Sequence, residues 1–283
     1  MGKSTIRKII APVRIDFAGG TTDISPFKDQ YGGCVLNVAI NRYVVGKIIK
    51  GDKKTHLEYT GNIPTSSGLG TSGVMNLVWL SLISHKDKLD KKELAEKVYR
   101  MEQSMGLVGG KQDQYASAFG GINFIEFNKD KVKIERLNLP KNFIKKLEDN
   151  LVLVYTGKPH FSGDLNGAMM DNLRKGKNVL NLMKIKNNAI EMRRALLDKN
   201  LDKFAKLMNE ATEERRKLHR DIIPASTQKI IDEGKANGAI AAKVCGSGGG
   251  GSILFFGNKR KLKNYFKDKV IDFKIDFSGL RIL

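Results

Sequence analysis

The chain has 283 residues, 41% of them hydrophobic, enough for one large domain or two lobes that share a site. No run of about eighteen apolar residues occurs, so nothing in the sequence reads as a membrane-spanning helix. The net charge of +20 raises nucleic acid as a partner. Against it, the lysines are interleaved with acids, as in DKLDKKELAEK, and no zinc-finger, RNP or KH pattern is present.

The first residues, MGKSTIRKIIAPVRIDF, lack the apolar core of a secretory signal. Cys34 and Cys245 lie far apart without metal-ligand spacing, as expected for buried free thiols in a reducing cytoplasm. IIAPVRIDF and GGCVLNVAINRYVVGKII read as strands, rich in Val and Ile, around a loop-rich insert, AGGTTDISPFKDQYGG. KGDKKTHLEYTG reads as a short polar connection turning at Gly51–Asp52. In GNIPTSSGLGTSGVMNLVWL, Pro64 is followed by small residues and then by an apolar helix that the chain enters near Gly70 to Ser72. A helix start presents free N–H groups and the positive end of its dipole, and bare glycines let an anion come close. Phosphate is the expected guest; an ordinary serine-capped loop is the plainer alternative.

The next predicted helix runs from Lys91 to Met105, with Asp90 as its cap and Glu93 three residues on. GLVGGKQDQYASAFGG then forms a second glycine turn into a short helix. INFIEFNKDKVKIERLNL reads as a hairpin turning near Asn128 to Lys131, and NLVLVYTG as a buried strand. Three helical stretches follow to about Glu233. GAIAAKVCGSGGGGSILFF is expected to be two strands, or a strand and a loop, around a glycine cluster, and KVIDFKIDFSGLRIL a closing strand. Strands dominate the first half and helices the second, which predicts an α+β fold with two lobes.

No Walker pattern and no strand–GxGxxG–helix unit is present, which disfavours P-loop and dinucleotide-binding folds. If the first glycine loop holds a nucleotide, a magnesium ion needs oxygen ligands. Ser72 at the helix start is one candidate, and the acids to consider are Glu102 and Asp113. Glu102 could equally pair with Lys97 or Arg100 on the surface, and Asp113 could merely cap its helix.

APVRIDFAGGTTD, PTSSGLGTSG, GGKQDQYASAFGG and CGSGGGGSILFF, in that order, resemble the GHMP kinase superfamily over nearly the whole chain. RIDFAGGTTDISPF, GKQDQYASAFGG and the YTG after a strand are most similar to its D-glycero-D-manno-heptose 7-phosphate kinase branch. The resemblance implies a two-lobed α+β fold with a ferredoxin-like second lobe, divided as residues 1–150 and 151–283. It implies ATP- and Mg²⁺-dependent phosphoryl transfer to a hydroxyl of a small sugar or phosphosugar, the anomeric hydroxyl of the heptose phosphate in that branch. Alternatives on the same fold are a kinase for another sugar or small alcohol and a non-catalytic ligand sensor. Ser66, Ser67, Gly68, Leu69, Gly70, Thr71 and Ser72 would wrap the ATP phosphates, and Ser72 and Glu102 would hold magnesium. Asp113 would orient or deprotonate the acceptor hydroxyl, with Arg14 beside it and Lys111 adding positive charge. Gly20, Thr21, Thr22 and Asp23 would line the sugar site, and Gly246, Ser247, Gly248 and Gly249 would pack near phosphates and substrate. His160, Lys158 and Arg174 are candidates for a substrate phosphate. A bulky residue at Gly70 is expected to abolish ATP binding while leaving the fold intact.

Overall fold

The computed structural model describes residues 5–51, 54–84, 88–129, 131–158 and 162–283. The chain starts with two long strands, β1 (Thr5–Ala18) and β2 (Gly33–Lys50), paired antiparallel along nearly their whole length. A short helix, α1 (Phe27–Tyr31), sits in the loop-rich insert between them. The predicted polar connection is instead a third strand, β3 (Thr55–Gly61), paired with the outer half of β2. Its side chains are mostly exposed, so it has no apolar alternation to mark it in the sequence.

Helices α2 (Thr71–Ile83), α3 (Lys91–Ser104) and α4 (Gln112–Phe119) follow, and then the expected hairpin of β4 (Ile122–Asn128) and β5 (Lys131–Arg136). The Asp90 side chain accepts from the Glu93 N–H at 2.9 Å, as the α3 cap requires. After α5 (Lys141–Asn150) comes the buried strand β6 (Leu151–Tyr155). Where three helical stretches were expected, the described residues hold four: α6 (Ser162–Arg174), α7 (Val179–Leu197), α8 (Leu201–Arg216) and α9 (Ala225–Ala236). The α7–α8 junction, Asp198–Asn200, has no glycine or proline to announce it. The glycine cluster joins β7 (Ala239–Val244) to β8 (Ser252–Gly257), and α10 (Lys259–Phe266) leads to the C-terminal segment. That segment is not one closing strand. It makes β9 (Val270–Ile271) beside β6 and β10 (Arg281–Ile282) beside β1, two short pairings in different sheets.

One sheet has the order β10-β1-β2-β4-β5, with β3 on β2; the other has the order β7-β8-β6-β9. In the second, the first and third strands pair centrally and the second and fourth flank them, which is a ferredoxin-like order. A continuous apolar core joins the sheets, running from Ile9, Ile15 and Leu36 through Val74, Val98 and Phe204 to Leu153 and Phe256. Burial of this apolar area, at about 25 cal/mol per Å², is the main stabilising term. Residues of β1 and β7 therefore meet across a packed interior, and polar groups on them need partners there.

Candidate active site

Arg14 and Asp16 alternate with Val13, Ile15 and Phe17 on β1, so the two charged residues share one face of the strand. That face floors a cavity of about 470 Å³. Its walls come from Gly20, Thr21, Asp23 and Ile24, from residues 65–68 and 70–73, from residues 107–110 and 112–114 and from Gly246–Ser247, with Asn166 of α6 at the edge. Four glycine-bearing stretches thus meet at one place.

Ser66 to Ser72 curl around the start of α2, and the Arg14 N–H donates to the Leu69 carbonyl at 3.2 Å, fixing the loop to β1. Gly70 caps α2 in a left-handed conformation with φ of 75°. The Thr71, Ser72 and Gly73 N–H groups precede the first intrahelical bond, Val74 N–H to Gly70 carbonyl, so the helix offers free donors to the cavity. The hydroxyls of Ser67 and Thr71 are buried without a partner among the described residues, as expected of donors for an anion. Ser66, Ser67, Gly68, Gly70, Thr71 and Ser72 line the cavity, whereas Leu69 turns into the core. The loop from Gly246 to Gly251 packs against the loop from Ser66 to Ser72: a Cβ at Gly68 would fall 2.9 Å from the Cys245 carbonyl oxygen, and one at Gly251 2.8 Å from that of Ser67.

A Cβ at Gly70 would lie 2.9 Å from the Asp113 carboxyl. A bulky residue there would therefore strain the fold as well as block the loop. Gly70→Val should weaken ATP binding and also cost about 1–3 kcal/mol of stability through backbone strain and the displaced carboxylate. Calorimetry with ATP, alongside urea denaturation, checks both; unchanged ATP affinity would refute the phosphate role of the loop.

Asp113 stands in the first turn of α4 and makes no capping bond; the cap is Lys111. Arg14 Nε donates to Asp113 Oδ1 at 2.7 Å, Nη2 lies 2.7 Å from the same oxygen, and Nη1 donates to the Gly68 carbonyl at 2.9 Å. One buried guanidinium thus ties the phosphate loop to the carboxylate. Burial lowers the Arg14 pKa, but the carboxylates of Asp113 and Asp16 outweigh it and the net shift is upward. Lys111, expected beside Asp113, turns away to Glu96, with Nζ 2.8 Å from Oε2. Glu102 is buried and pairs with neither Lys97 nor Arg100; it accepts from Asn76 Nδ2 at 2.8 Å and from Gln114 Nε2 at 2.6 Å. Burial, helped by the nearby Asp113 charge, raises the Glu102 pKa. Such a carboxylate, held by neutral amides in the cavity wall, suits a cation. Among the described residues no group of three or more His, Cys, Asp or Glu could hold a metal alone. A divalent ion here would need the Ser72 hydroxyl and phosphate oxygens besides Glu102, as Mg²⁺ commonly does.

Gly20, Thr21, Asp23, Gly246 and Ser247 line the cavity. Thr22 does not: its hydroxyl donates to the Gly19 carbonyl at 2.7 Å and holds the turn together. Gly248 and Gly249 lie against the 3₁₀ turn Arg220–Ile222 instead, where the Gly249 N–H donates to the Ile222 carbonyl at 2.9 Å. His160 lies outside the described residues. Neither Lys158 nor Arg174 is among the cavity lining, and Arg174 pairs with Asp171 at 2.6 Å.

Asp23 Oδ2 accepts from the Gln112 N–H at 3.1 Å, while Oδ1 is buried without a hydrogen-bond partner among the described residues. Burial, with the Asp113 and Asp16 charges nearby, pushes its pKa up to about 6. A raised carboxyl binds its proton more tightly in the folded state, so between about pH 4 and 6 stability falls as pH rises. Asp23→Asn keeps the acceptor for Gln112 and should add about 1–3 kcal/mol at pH 8, a gain that fades below about pH 4. Denaturation at pH 4 and pH 8 reads the difference, and an equal effect at both would refute the burial cost.

Sequence reasoning missed Asp16, Gln112, Lys243 and Arg215. Lys243 Nζ lies 3.0 Å from Asp16 Oδ2, and both side chains are essentially inaccessible. Burial raises the Asp16 pKa, but Lys243, Arg215 and Arg14 outweigh it and hold the carboxyl below the usual range.

Residues 35–121 match the family described as GHMP kinases N terminal domain, and residues 192–271 match GHMP kinases C terminal. The chain belongs to the GHMP kinases and is a phosphotransferase. It is 29% identical to D-glycero-alpha-D-manno-heptose 7-phosphate kinase of Campylobacter jejuni, over 90% of this chain and 91% of that one. A structure described as a D-glycero-D-manno-heptose 1-phosphate kinase, from Bacteroides thetaiotaomicron, superposes with a TM-score of 0.77 over 99% of both chains at 24% identity. Galactokinase of Lactococcus lactis, complexed with galactose, shares the fold with a TM-score of 0.69 over 98% of this chain and 95% of that one at 17% identity.

Proposed function

We propose that this protein uses ATP and Mg²⁺ to phosphorylate a hydroxyl of a sugar or phosphosugar, with the anomeric hydroxyl of D-glycero-D-manno-heptose 7-phosphate as the first acceptor to try. The observation that carries the reading is the Arg14–Asp113 pair, set beside the bare start of α2 in a cavity that also holds Glu102 and Ser72. The similarity to the Campylobacter heptose kinase selects the acceptor.

The roles follow from the groups present. The loop from Ser66 to Ser72 and the free N–H groups of α2 receive the phosphates, and Met75, Leu107 and Val108 offer apolar surface for a base. Glu102 and Ser72 are the protein's ligands for magnesium, which when bound offsets phosphate charge. Asp113 Oδ1 is engaged by Arg14, and Oδ2 has no hydrogen bond to the described residues, so Oδ2 is the atom that receives the acceptor proton. Arg14, fixed at Gly68 and Asp113, supplies positive charge where charge moves between donor and acceptor. Asp23 and the Gly20–Thr21 turn hold sugar hydroxyls. The division into an ATP-binding lobe, 1–150, and a second lobe, 151–283, goes with this reading, as does a cytoplasmic setting for Cys34 and Cys245, both buried and unpaired.

A coupled assay of ADP formation with Mg·ATP and a panel of free and phosphorylated aldoses tests the proposal. Turnover of the heptose 7-phosphate above the other sugars is expected. Turnover of a different sugar would replace the acceptor, and nucleotide binding without turnover of any would turn the reading to a ligand sensor.

A further inference from the structure

The floor of the cavity carries more acceptor atoms than the reading above uses. Asp16 Oδ1 and Gln112 Oε1 are both buried and have no hydrogen-bond partner among the described residues, and both residues line the cavity. Asp16 is 2% exposed and Gln112 9%. A buried carboxylate oxygen and a buried amide oxygen without donors are costly, at about 1–3 kcal/mol each, unless something supplies the missing hydrogens.

The local backbone is shaped to bring them there. The β1–β2 ladder shifts register between Asp16 and Ala18, and such bulges re-aim side chains next to sites. A Cβ on residue 20 would fall 2.1 Å from Asp16 Oδ2 and 3.4 Å from Gln112 Nε2, so only glycine at 20 leaves the carboxylate its position. From below, Lys243 holds Asp16 Oδ2 at 3.0 Å and leaves Oδ1 free.

Three cations, Lys243, Arg215 and Arg14, already act on Asp16. A metal or ammonium ion would meet their repulsion. A neutral donor does not, and a hydroxyl supplies a proton without bringing charge. Building on the sugar-kinase reading, we propose that Asp16 and Gln112 form a second hydroxyl-reading subsite, which accepts hydrogen bonds from one or two hydroxyls of the polyol acceptor beneath Gly20. Asp23, on the other side of Gln112, reads a further hydroxyl. The subsite selects for hydroxyl pattern, because an acceptor that lacks one of these hydroxyls leaves a buried oxygen unpaired.

The test uses the sugar that wild type phosphorylates best in the panel, together with its mono-deoxy derivatives. On wild type, the derivative without the hydroxyl read by Asp16 should lose about 10- to 100-fold in kcat/KM. On Asp16→Leu/Lys243→Met, which removes the ion pair and the acceptor oxygens together, parent sugar and that derivative should become nearly equal. ATP affinity by calorimetry should stay at the wild-type value. Gln112→Met breaks no ion pair and makes the same comparison with a second derivative, at about 3- to 10-fold, so the result stands even if the double variant does not fold. Equal losses for parent and every deoxy derivative would mean a structural role and overturn the subsite alone. A wild type that phosphorylates no sugar would overturn the sugar reading and the subsite together.

Discussion

Asp113→Asn is expected to lower kcat by about 10²–10⁴-fold, the usual worth of a positioned proton acceptor. The substitution preserves shape. Asn retains an oxygen for Arg14 Nε and Nη2, so the guanidinium keeps its bond to the Gly68 carbonyl and the phosphate loop keeps its tether. The helices around it also hold: a Cβ at Gly73 would lie 3.3 Å from the Asp113 Cβ, which shows how closely α2 and α4 approach at this point. What is lost is the basic oxygen that, in the proposed reaction, receives the acceptor proton. ATP affinity should change little, because Ser72, Glu102 and the start of α2 are untouched. Steady-state kinetics separate the possibilities. A fall in kcat with near-normal KM supports proton transfer, a rise in KM alone assigns Asp113 to acceptor binding, and wild-type kcat removes the catalytic role.

Much of this site was legible because its parts are unusual for a folded chain. Runs such as PTSSGLGTSG and CGSGGGG are poor in bulky side chains because the two loops approach each other closely, and in the proposed function their bare backbone also admits an anion. Asp113 and Glu102 were found by their places near glycine turns and helix ends. Asp16 and Lys243 were not found, because Asp16 is one of two charges in VRIDF and Lys243 a single charge in AIAAKVC, and neither segment points to the other. Their meaning appears only when β1 and β7 meet across the core, 227 residues apart in sequence. A lone charge in an otherwise buried strand was the available signal, since such a group must have a partner somewhere. Lys111 illustrates the opposite error: nearness in sequence to Asp113 suggested contact, but Glu96 on α3 and the Tyr115 hydroxyl beside it complete a separate network. The strand β3 was missed because an edge strand with exposed side chains on both faces has no hydrophobic period to read.

Lys243→Met should be among the most destabilising single changes in the protein, at about 3–5 kcal/mol near pH 7. Methionine nearly conserves the volume, so the loss comes from charge rather than from a cavity. Without Lys243, Asp16 remains essentially inaccessible, with only Arg14 and Arg215 to oppose its burial, and Arg14 is already engaged by Asp113. The pH dependence identifies the cause. In wild type the folded-state pKa of Asp16 is depressed, so the pair's contribution is present above the unfolded value, about 3.9, and is lost as pH falls through the folded one. In the variant, burial raises the pKa of the same carboxyl. Its folded state takes up a proton more readily than the unfolded chain, and the deficit relative to wild type shrinks as pH falls toward 4. Urea denaturation at pH 7 and at about pH 4.5 should therefore show a large difference at the first and a smaller one at the second. Adding Asp16→Asn to Lys243→Met removes the stranded charge and should recover most of the lost stability at pH 7, because replacing both members of a buried pair costs far less than replacing one. A deficit that is independent of pH, or a double variant no better than the single, would show that Lys243 acts by packing and that the charge pair beneath the cavity contributes nothing of its own.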